Sequence, residues 1–301
     1  MITKCSNLSR RVDTMEYVTF GRTGRTVSRL GFGGATAGLK NYLHEYDPGK
    51  AADREPVIAA IRRALELGVT YFDTAAAYGD GASERLFGEA LDGVAPESIF
   101  LATKVGAWGD VDVRESLEGS LKRLRRERVD LLQVHGTNIT AEQQERVLRP
   151  GGMLDQMSKL KDEGMVSFIG FTAEAINPAL HSFIESGAFD TIQMCYNFLF
   201  QHPYDPGWQS GCLYDAESQG MGIAVMRSTT SGIFQRWIQT VNPSNTFNYT
   251  PALIQYQLSC PLVDVVLVGM RSITRVEENV RLIEDTTGRI DLEELHRRYV
   301  E

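Results

Sequence analysis

Along this chain, short apolar runs alternate with segments whose apolar residues recur every three or four positions. Runs of the first kind predict buried strands, and segments of the second kind predict helices with one apolar face. We expect eight strands, at 30–33, 70–73, 99–103, 131–135, 168–171, 191–194, 222–226 and 265–268. We expect eight helices between and after them, at 55–67, 83–91, 113–124, 153–163, 178–186, 210–219, 251–259 and 273–284.

This alternation predicts an α/β fold in which helices cover a parallel sheet. Glycines follow five of the predicted helices, where a left-handed residue commonly ends a helix: Gly68, Gly93, Gly164, Gly187 and Gly220. Closing eight such strands into a (β/α)8 TIM barrel takes about 250 residues, which fits a chain of 301. A doubly wound open sheet is the alternative. It favours Gly-x-Gly-x-x-Gly after the first strand, whereas LGFGGATAG has a different spacing and no helix is expected directly after it.

The region before the first barrel strand has a pattern of its own. Residues 17–20 and 26–29 alternate in polarity around the turn Gly-Arg-Thr-Gly-Arg, which predicts an N-terminal β-hairpin. Residues 1–14 are polar and lack the apolar centre of a signal peptide. We therefore predict a disordered extension over 1–14 and a single barrel domain over 15–301.

Charge and composition narrow the classes of function. A formal net charge of −8 disfavours general binding to nucleic acid or to an anionic membrane surface, and no run of about 18 apolar residues is present. The four cysteines have neither C-x-x-C nor metal-ligand spacing, so we predict no metal site and no disulfide framework. Scattered cysteines are typical of a reducing compartment, and we expect a cytoplasmic protein.

Candidate chemistry lies at the ends of three consecutive predicted strands, where the catalytic residues of a (β/α)8 barrel are found. Asp73 ends the second strand, Tyr78 follows it, Lys104 follows the third, and His135 ends the fourth. A carbonyl that accepts hydride develops negative charge on oxygen, and a tyrosine can donate the proton that it needs. A lysine ammonium beside that tyrosine would lower its pKa, the aspartate would hold the ammonium, and the histidine would orient the carbonyl.

Taken singly, each of these residues also has a structural interpretation, such as a loop cap, a solvated strand end or a core histidine. Together they form a pattern that resembles the aldo-keto reductases in YFDTAAAYGDGASERLFGEAL, LATKVG and VDLLQVHG. The resemblance extends over nearly the whole chain after Met15. It implies Tyr78 as general acid and base, Asp73 and Lys104 as residues that tune its pKa, and His135 as the carbonyl-orienting group.

The resemblance also implies an NADP(H) cofactor bound in extended form across the barrel mouth. Members of the family contact the nicotinamide amide after the fifth and sixth strands, which corresponds to Thr172 and Gln193 here. They usually have Asn after the Ser or Thr, but this chain has Ala173. Because alanine has no amide, one nicotinamide hydrogen bond is in doubt.

Two further segments are implied to contact the cofactor. Met226, after the seventh strand, lies where many members stack Tyr or Trp on the nicotinamide ring. Arg227 and Ser228 begin a loop rich in Ser and Thr, which we expect to contact the pyrophosphate or else to be an ordinary polar loop.

The end of the eighth strand resembles the adenosine site of the family. It contains Gly269, Arg271 and Arg275, followed by Glu278 and Asn279, which would meet the adenine. The two arginines are spaced about one helical turn apart, so we expect them to converge on the 2′-phosphate of NADP(H). The alternative is a set of surface charges on a helix.

The substrate is expected to be a small carbonyl compound, or the matching alcohol or sugar, in a pocket lined by Trp108 and Tyr42. The predicted function is therefore an NADP(H)-dependent reductase of aldehydes and ketones, or an alcohol or sugar dehydrogenase. Two other classes stay open. One is a cofactor-binding regulatory subunit of the same family with little turnover. The other is a metal-dependent barrel hydrolase or isomerase, which would need clustered His and carboxylate ligands.

Overall fold

The structure is a computed structural model that describes residues 15–300. The predicted extension at 1–14, with Cys5, lies outside the described residues. Within them the strands are β1 (Tyr17–Thr19), β2 (Thr26–Ser28), β3 (Leu30–Gly33), β4 (Tyr71–Asp73), β5 (Phe100–Gly106), β6 (Val129–His135), β7 (Val166–Ala173), β8 (Thr191–Cys195), β9 (Gly222–Met226) and β10 (Val265–Val268).

The α-helices are α1 (Ala35–Gly38), α2 (Ala51–Glu66), α3 (Ala82–Ala90), α4 (Val113–Leu124), α5 (Ala141–Leu148), α6 (Met153–Asp162), α7 (Pro178–Glu185), α8 (Cys212–Ser218), α9 (Ile233–Val241), α10 (Thr250–Leu258), α11 (Ile273–Glu284) and α12 (Leu292–Val300). Short 3-10 helices lie at Gly21–Thr23, Pro96–Ser98, Thr230–Gly232 and Thr286–Gly288. No helix within residues 15–300 is both long enough and apolar enough to cross a membrane.

Strands β3 to β10 form a closed parallel barrel in chain order. The barrel closes where β10 pairs with β3, with Val266 opposite Leu30 and Val268 opposite Phe32. The predicted (β/α)8 barrel is therefore confirmed, and the open sheet is wrong. The expectation that no helix directly follows the first barrel strand is also wrong, because the four-residue α1 begins at Ala35.

The predicted N-terminal hairpin is confirmed, since β1 and β2 pair antiparallel. Phe20, which directly follows β1, is fully buried and packs edge-on against Tyr71 and Phe100 of the barrel interior, with ring centres 5.4 Å apart in both cases. A Cβ atom on Gly222 would lie 2.8 Å from the Phe20 ring, so β9 can pass the ring only with a glycine at that position. The hairpin thus closes the end of the barrel at which the strands begin.

The five glycines predicted to end helices all have the left-handed backbone conformation, with φ between 65° and 88°. Each therefore turns the chain from a helix toward the next strand. Three strands end later than predicted, and one of them, β8, ends a single residue later at Cys195. Strand β5 continues to Gly106 and β7 continues to Ala173. Lys104 and Thr172 consequently lie within rigid strands and not in loops.

Candidate active site

A cavity lies at the end of the barrel opposite the hairpin, where the strands finish. Residues at or near the ends of seven barrel strands line it: Gly33, Asp73, His135, Thr172, Gln193, Met226 and Val268. Tyr78, from the loop after β4, and Tyr42, from the loop after α1, complete part of its wall. The structure therefore brings candidate residues from six of the strand ends, with Tyr78 and Tyr42, to one mouth, as expected for this fold. Six other candidates do not line this cavity: Lys104, Trp108, Arg271, Arg275, Glu278 and Asn279.

Lys104 and Asp73 form a buried ion pair beneath the cavity. Lys104 Nζ lies 2.7 Å from both carboxylate oxygens of Asp73 and 2.7 Å from the carbonyl oxygen of Thr74. Both side chains are almost fully buried. Burial raises the pKa of Asp73 and lowers the pKa of Lys104, while the contact between the two charges opposes both changes.

Tyr78 stands over this pair, with Lys104 Nζ 4.9 Å from the centre of its ring. Burial raises the pKa of Tyr78 well above its ordinary value, and the nearby Asp73 carboxylate adds to the increase. The predicted lowering of this pKa by Lys104 is therefore wrong for the structure as described. The physical reason is that Lys104 directs its three N–H groups to Asp73 and Thr74, and Asp73 offsets its charge.

His135 is held between two aromatic rings. Its ring packs edge-on against Tyr78 at 5.4 Å and lies 5.3 Å from the Trp108 ring. Trp108 is thus close to the candidate catalytic residues, although it is not among the residues that line the cavity. A Cβ atom on Gly106 would overlap the Trp108 indole, so this glycine allows the indole to reach the histidine. Burial, followed by the Lys104 charge, lowers the pKa of His135 to about 3. The imidazole is thus neutral at physiological pH and carries one N–H donor.

Two glutamines connect the buried ion pair to the opposite wall. Gln133 Nε2 lies 3.3 Å from Asp73 Oδ1 and 3.2 Å from Gln193 Oε1. Gln193 Nε2 in turn lies 3.5 Å from Met226 Sδ. Gln133 was not among the predicted residues. Its position in the alternation of β6, two residues before His135, was the signal that could have identified it, because both side chains point to the same face of the strand.

The Thr172 hydroxyl is fully engaged with the backbone of the neighbouring strand end. It donates to the Gly136 carbonyl oxygen at 2.8 Å and accepts from the Gly136 N–H at 2.9 Å. Its single proton is therefore used within the protein. Ala173, which follows it, is completely buried. This arrangement pins the end of β7 to the turn after His135.

A chain of polar contacts crosses the cavity wall between three loops. Arg227 forms an ion pair with Glu174, with 2.7 Å between Nη2 and Oε1, and its Nη1 lies 3.0 Å from Ser231 Oγ. The Ser231 hydroxyl lies 3.3 Å from the hydroxyl of Tyr42. Glu174 was missed by the sequence reasoning, because only the folded chain brings it to Arg227. Ser228 is buried, and its hydroxyl donates to the Leu267 carbonyl oxygen at 2.6 Å.

The end of β10 approaches the first barrel loop closely. A Cβ atom on Gly269 would lie 2.6 Å from Thr36 Oγ1, so a glycine is needed for this approach. The guanidinium of Arg271 lies 4.6 Å from the centre of the Tyr46 ring. Thr36 Oγ1 and Arg271 Nη1 are buried without a hydrogen-bond partner among the described atoms. These two buried groups lack a hydrogen-bond partner that a bound polar ligand could supply.

The two arginines predicted to converge on one anion are not on the same element. Arg271 precedes α11, and Ser272 caps that helix by accepting from the Arg275 N–H. Arg275 is exposed and paired with Glu278 at 2.7 Å, while Asn279 is buried. Only Arg275 therefore lies on the helix, close to its Ser272 cap, and the prediction that both arginines meet the 2′-phosphate stays a prediction. Within residues 15–300, no group of three or more His, Cys, Asp and Glu side chains is arranged to hold a metal ion.

Comparisons with known proteins agree with this architecture. A sequence model of the Aldo/keto reductase family matches residues 29–295. The L-galactose dehydrogenase of Arabidopsis thaliana is 27% identical over 312 residues, which cover 90% of this chain and 89% of that protein. The family model thus spans all eight barrel strands and all the residues that line the cavity.

Solved structures show the same fold. An aldo-keto reductase from Bacillus halodurans in its holo form superposes with a TM-score of 0.71 at 24% identity, covering 95% of this chain and 96% of that one. An aldo/keto reductase from Klebsiella pneumoniae, in complex with NADP and acetate, superposes with a TM-score of 0.68 at 21% identity, covering 94% of both chains. At these identities the likeness concerns the fold.

Proposed function

This chain belongs to the aldo/keto reductase family, and from that premise we propose that it is an NADP(H)-dependent oxidoreductase that interconverts a small carbonyl compound and its alcohol. The observation that carries the proposal is the meeting of Asp73, Tyr78, Lys104 and His135 at one cavity. Two similar proteins add support, because one is an L-galactose dehydrogenase and the other was solved in complex with NADP and acetate.

The residues around the cavity fit an NADP(H) molecule. Gly269 and Thr36 line the cavity. Thr36 Oγ1 and Arg271 Nη1 are buried and have no hydrogen-bond partner among the described residues, so a polar ligand group that reached them would satisfy both. We expect Arg271 to bind the 2′-phosphate, because a guanidinium suits a phosphate group well. When bound, this cofactor supplies or accepts the hydride, and the protein supplies the proton.

Tyr78 is the group that we propose as the proton donor in the direction of reduction. Its raised pKa keeps the hydroxyl protonated at physiological pH, so a proton is always available to the carbonyl oxygen. The neutral His135 would donate its N–H to the same oxygen and share the developing charge. The ion pair of Lys104 and Asp73 would keep two opposite charges at fixed positions beneath the Tyr78 ring.

In the direction of oxidation the same groups act in reverse. The hydroxyl of the alcohol or sugar gives its proton to Tyr78 once the tyrosine is ionised. The Lys104 ammonium, 4.9 Å from the ring, would favour that ionised form if it turned from Thr74 toward the phenolate oxygen. The panel of substrates that tests the proposal therefore includes aldehydes for reduction and aldose sugars for oxidation.

The first test is a titration of the purified protein with NADPH and NADH, followed by addition of aldehydes or, with NADP+, of sugars. Saturable NADPH binding with substrate-dependent change at the nicotinamide absorbance band is the expected result. NADPH binding with no turnover on any substrate would instead favour the regulatory-subunit alternative. Absence of NADPH binding would refute both.

Arg271→Ala tests the choice between the two cofactors. We expect it to weaken NADPH binding by about tenfold or more, which corresponds to one lost charge-assisted contact, and to leave NADH binding nearly unchanged. Arg281→Ala is the matched control, because Arg281 is an exposed arginine further along α11 that pairs with Glu277 and is not among the predicted cofactor contacts. Equal losses for NADPH and NADH in Arg271→Ala would remove the 2′-phosphate from the proposal.

A further inference from the structure

The ends of β7 and β9 contain residues that depart from the family pattern described above. Ala173 stands where Asn is usual, and it is completely buried. The residue after it, Glu174, lines the cavity and forms an ion pair with Arg227, which follows β9. An ion pair thus lies beside the position from which an amide is missing.

A nicotinamide carboxamide needs one acceptor for its NH2 group and one donor for its carbonyl oxygen. Thr172 cannot donate, because its only proton is bonded to the Gly136 carbonyl oxygen. The Gln193 carbonyl oxygen accepts from Gln133, and its NH2 group faces Met226 Sδ at 3.5 Å. The two residues predicted to read the carboxamide are therefore committed largely to protein partners.

Glu174 and Arg227 have the capacity that these residues lack. A carboxylate has two accepting oxygens and a guanidinium has five N–H donors. The pair uses Glu174 Oε1 and Arg227 Nη2 for its own contact, and Arg227 Nη1 contacts Ser231 Oγ. One carboxylate oxygen and further N–H groups remain for a ligand that enters the cavity.

The backbone holds Arg227 in an uncommon conformation. Its φ is 58°, in the left-handed region that a non-glycine residue rarely adopts. The Arg227 carbonyl oxygen accepts from the Thr230 N–H at 2.7 Å and from Asn197 Nδ2 at 3.2 Å, which keeps this strained geometry in place. Strain that is retained in this way is typical of a residue positioned for a ligand.

The electrostatics place the pair near the proposed proton donor. Both charges act on the Tyr78 hydroxyl, since the Glu174 carboxylate raises its pKa and the Arg227 guanidinium lowers it. The nicotinamide must come within reach of the same hydroxyl for a carbonyl between them to react. The ion pair and the nicotinamide therefore share one region of the cavity.

We propose that Glu174 accepts a hydrogen bond from the carboxamide NH2 of the cofactor and that Arg227 donates one to its carbonyl oxygen. The ion pair then takes the place of the amide that is missing at Ala173. This inference rests on the proposed NADP(H) function, and it identifies two binding residues that the sequence pattern did not assign to the carboxamide.

Calorimetric titration with three ligands tests the proposal. They are NADP+, its 3-acetylpyridine analogue, in which a methyl group replaces the carboxamide NH2, and 2′-phospho-ADP-ribose, which lacks the nicotinamide. The wild-type protein should prefer NADP+ over the acetylpyridine analogue by about tenfold or more, because the analogue cannot donate to a carboxylate. Glu174→Ala should reduce that preference to about threefold or less. Glu174→Gln, which keeps an accepting oxygen, should retain part of it.

The controls separate this proposal from its premise. Glu163→Gln changes an exposed carboxylate that pairs with Arg114 outside the cavity, and it should bind all three ligands as the wild type does. 2′-Phospho-ADP-ribose should bind equally to wild type and Glu174 variants. If NADP+ binds but the preference is the same in Glu174→Ala, the carboxamide assignment is wrong while the cofactor site stands.

Two other results would also overturn the assignment. A loss of 2′-phospho-ADP-ribose binding in Glu174→Gln would mean that the pair organises the whole loop. A rise in the substrate KM with unchanged preference for NADP+ would mean that the pair contacts the substrate. Failure of the wild type to bind NADP+ would remove the proposed function itself.

Discussion

At the residue scale, the contacts of Lys104 show which negative group its ammonium stabilises. The Lys104 ammonium is close to the Tyr78 ring but bonded to Asp73 and Thr74, so it stabilises the carboxylate beneath the cavity and not a phenolate. The tyrosine therefore stays protonated, which suits a donor. Its ionisation in the reverse reaction would require Lys104 to give up a hydrogen bond to the Thr74 carbonyl oxygen.

Tyr78→Phe should remove most of the turnover and leave cofactor affinity within about twofold of the wild type. The reason is that the variant loses only the proton donor, and general acid catalysis typically contributes 10²–10⁴-fold. Steady-state kinetics and an NADPH titration measure the two effects. Tyr17→Phe is a matched control, because it removes an exposed hydroxyl at the other end of the barrel. Wild-type turnover in Tyr78→Phe would show that another group donates the proton.

His135 leads to a prediction about the pH profile. With a pKa of about 3 in the folded protein, it is neutral across the usual assay range, and its ordinary value near 6.5 should not govern the rate. We therefore expect that His135 causes no step in the pH profile of kcat/KM for reduction between pH 5.5 and 7.5. The profiles of the wild type and of His135→Gln should have the same shape in this range. A step in that range that disappears in the variant would mean that His135 titrates there.

The sequence could predict the four catalytic candidates because each lies at or just after the end of a strand, where chain position alone fixes the side of the barrel. It could not predict Glu174 or Thr36, whereas the alternation of β6, which puts Gln133 on the same face as His135, could have identified Gln133. The roles of Glu174 and Thr36 depend on contacts between residues 53 and 233 positions apart, in the Glu174–Arg227 ion pair and the Thr36–Gly269 approach. The sequence also assigned the Thr172 hydroxyl to the nicotinamide amide, whereas this hydroxyl donates its proton to the Gly136 carbonyl oxygen.

At the scale of elements, periodicity predicts those helices that bury a continuous apolar stripe. Helix α5 was missed because Val147 is its one buried residue, and α9 was missed because none of its residues is buried. Helix α5 follows β6 and helix α9 follows β9, and both lie on the surface of the molecule. Strand lengths were underestimated for β5 and β7, where polar residues such as Lys104 and Thr172 continue the strand into the cavity.

The hairpin β1–β2 should contribute strongly to the stability of the barrel through Phe20. Phe20→Ala removes a fully buried ring that contacts Tyr71 and Phe100, and such losses cost about 3–5 kcal/mol in the free energy of unfolding. Urea denaturation measures the change. Thr19→Ala, an exposed position on the same hairpin, should cost less than about 1 kcal/mol. A loss below about 1 kcal/mol in Phe20→Ala would mean that the barrel end repacks without the ring.

At the scale of the whole molecule, one device recurs around the closed end of the barrel. Asp130 accepts from the Leu101 N–H, Asp190 from the Ile169 N–H, and Asp264 from the Ile223 N–H, each at 2.9 Å. In every case an aspartate at the start of one strand is bonded to the strand before it. Just before β3 and β4, uncharged hydroxyl groups make the corresponding contacts. The Ser28 and Thr70 hydroxyls each accept from the other residue's N–H at 2.9 Å.

This arrangement makes stability depend on pH in a definite direction. Burial raises the pKa of Asp264 to about 6 from an ordinary value of 3.8. A carboxyl whose folded pKa is raised contributes stability that is fully present below pH 3.8 and is lost as pH rises through about 6. The folded protein therefore carries a cost at neutral pH, because it keeps a partly desolvated carboxylate charged.

Asp264→Asn isolates that cost, because asparagine retains an accepting oxygen and does not ionise. We expect the variant to gain stability relative to the wild type as pH rises from 5 to 8, by about 1–3 kcal/mol, which corresponds to the shift in pKa. Urea denaturation of both proteins across this range measures the difference between them, so that every other titrating group cancels. A difference that does not change with pH would mean that Asp264 ionises in the folded barrel as it does in the unfolded chain. The carboxylate of Asp264 would then be as well solvated as a carboxylate on the protein surface.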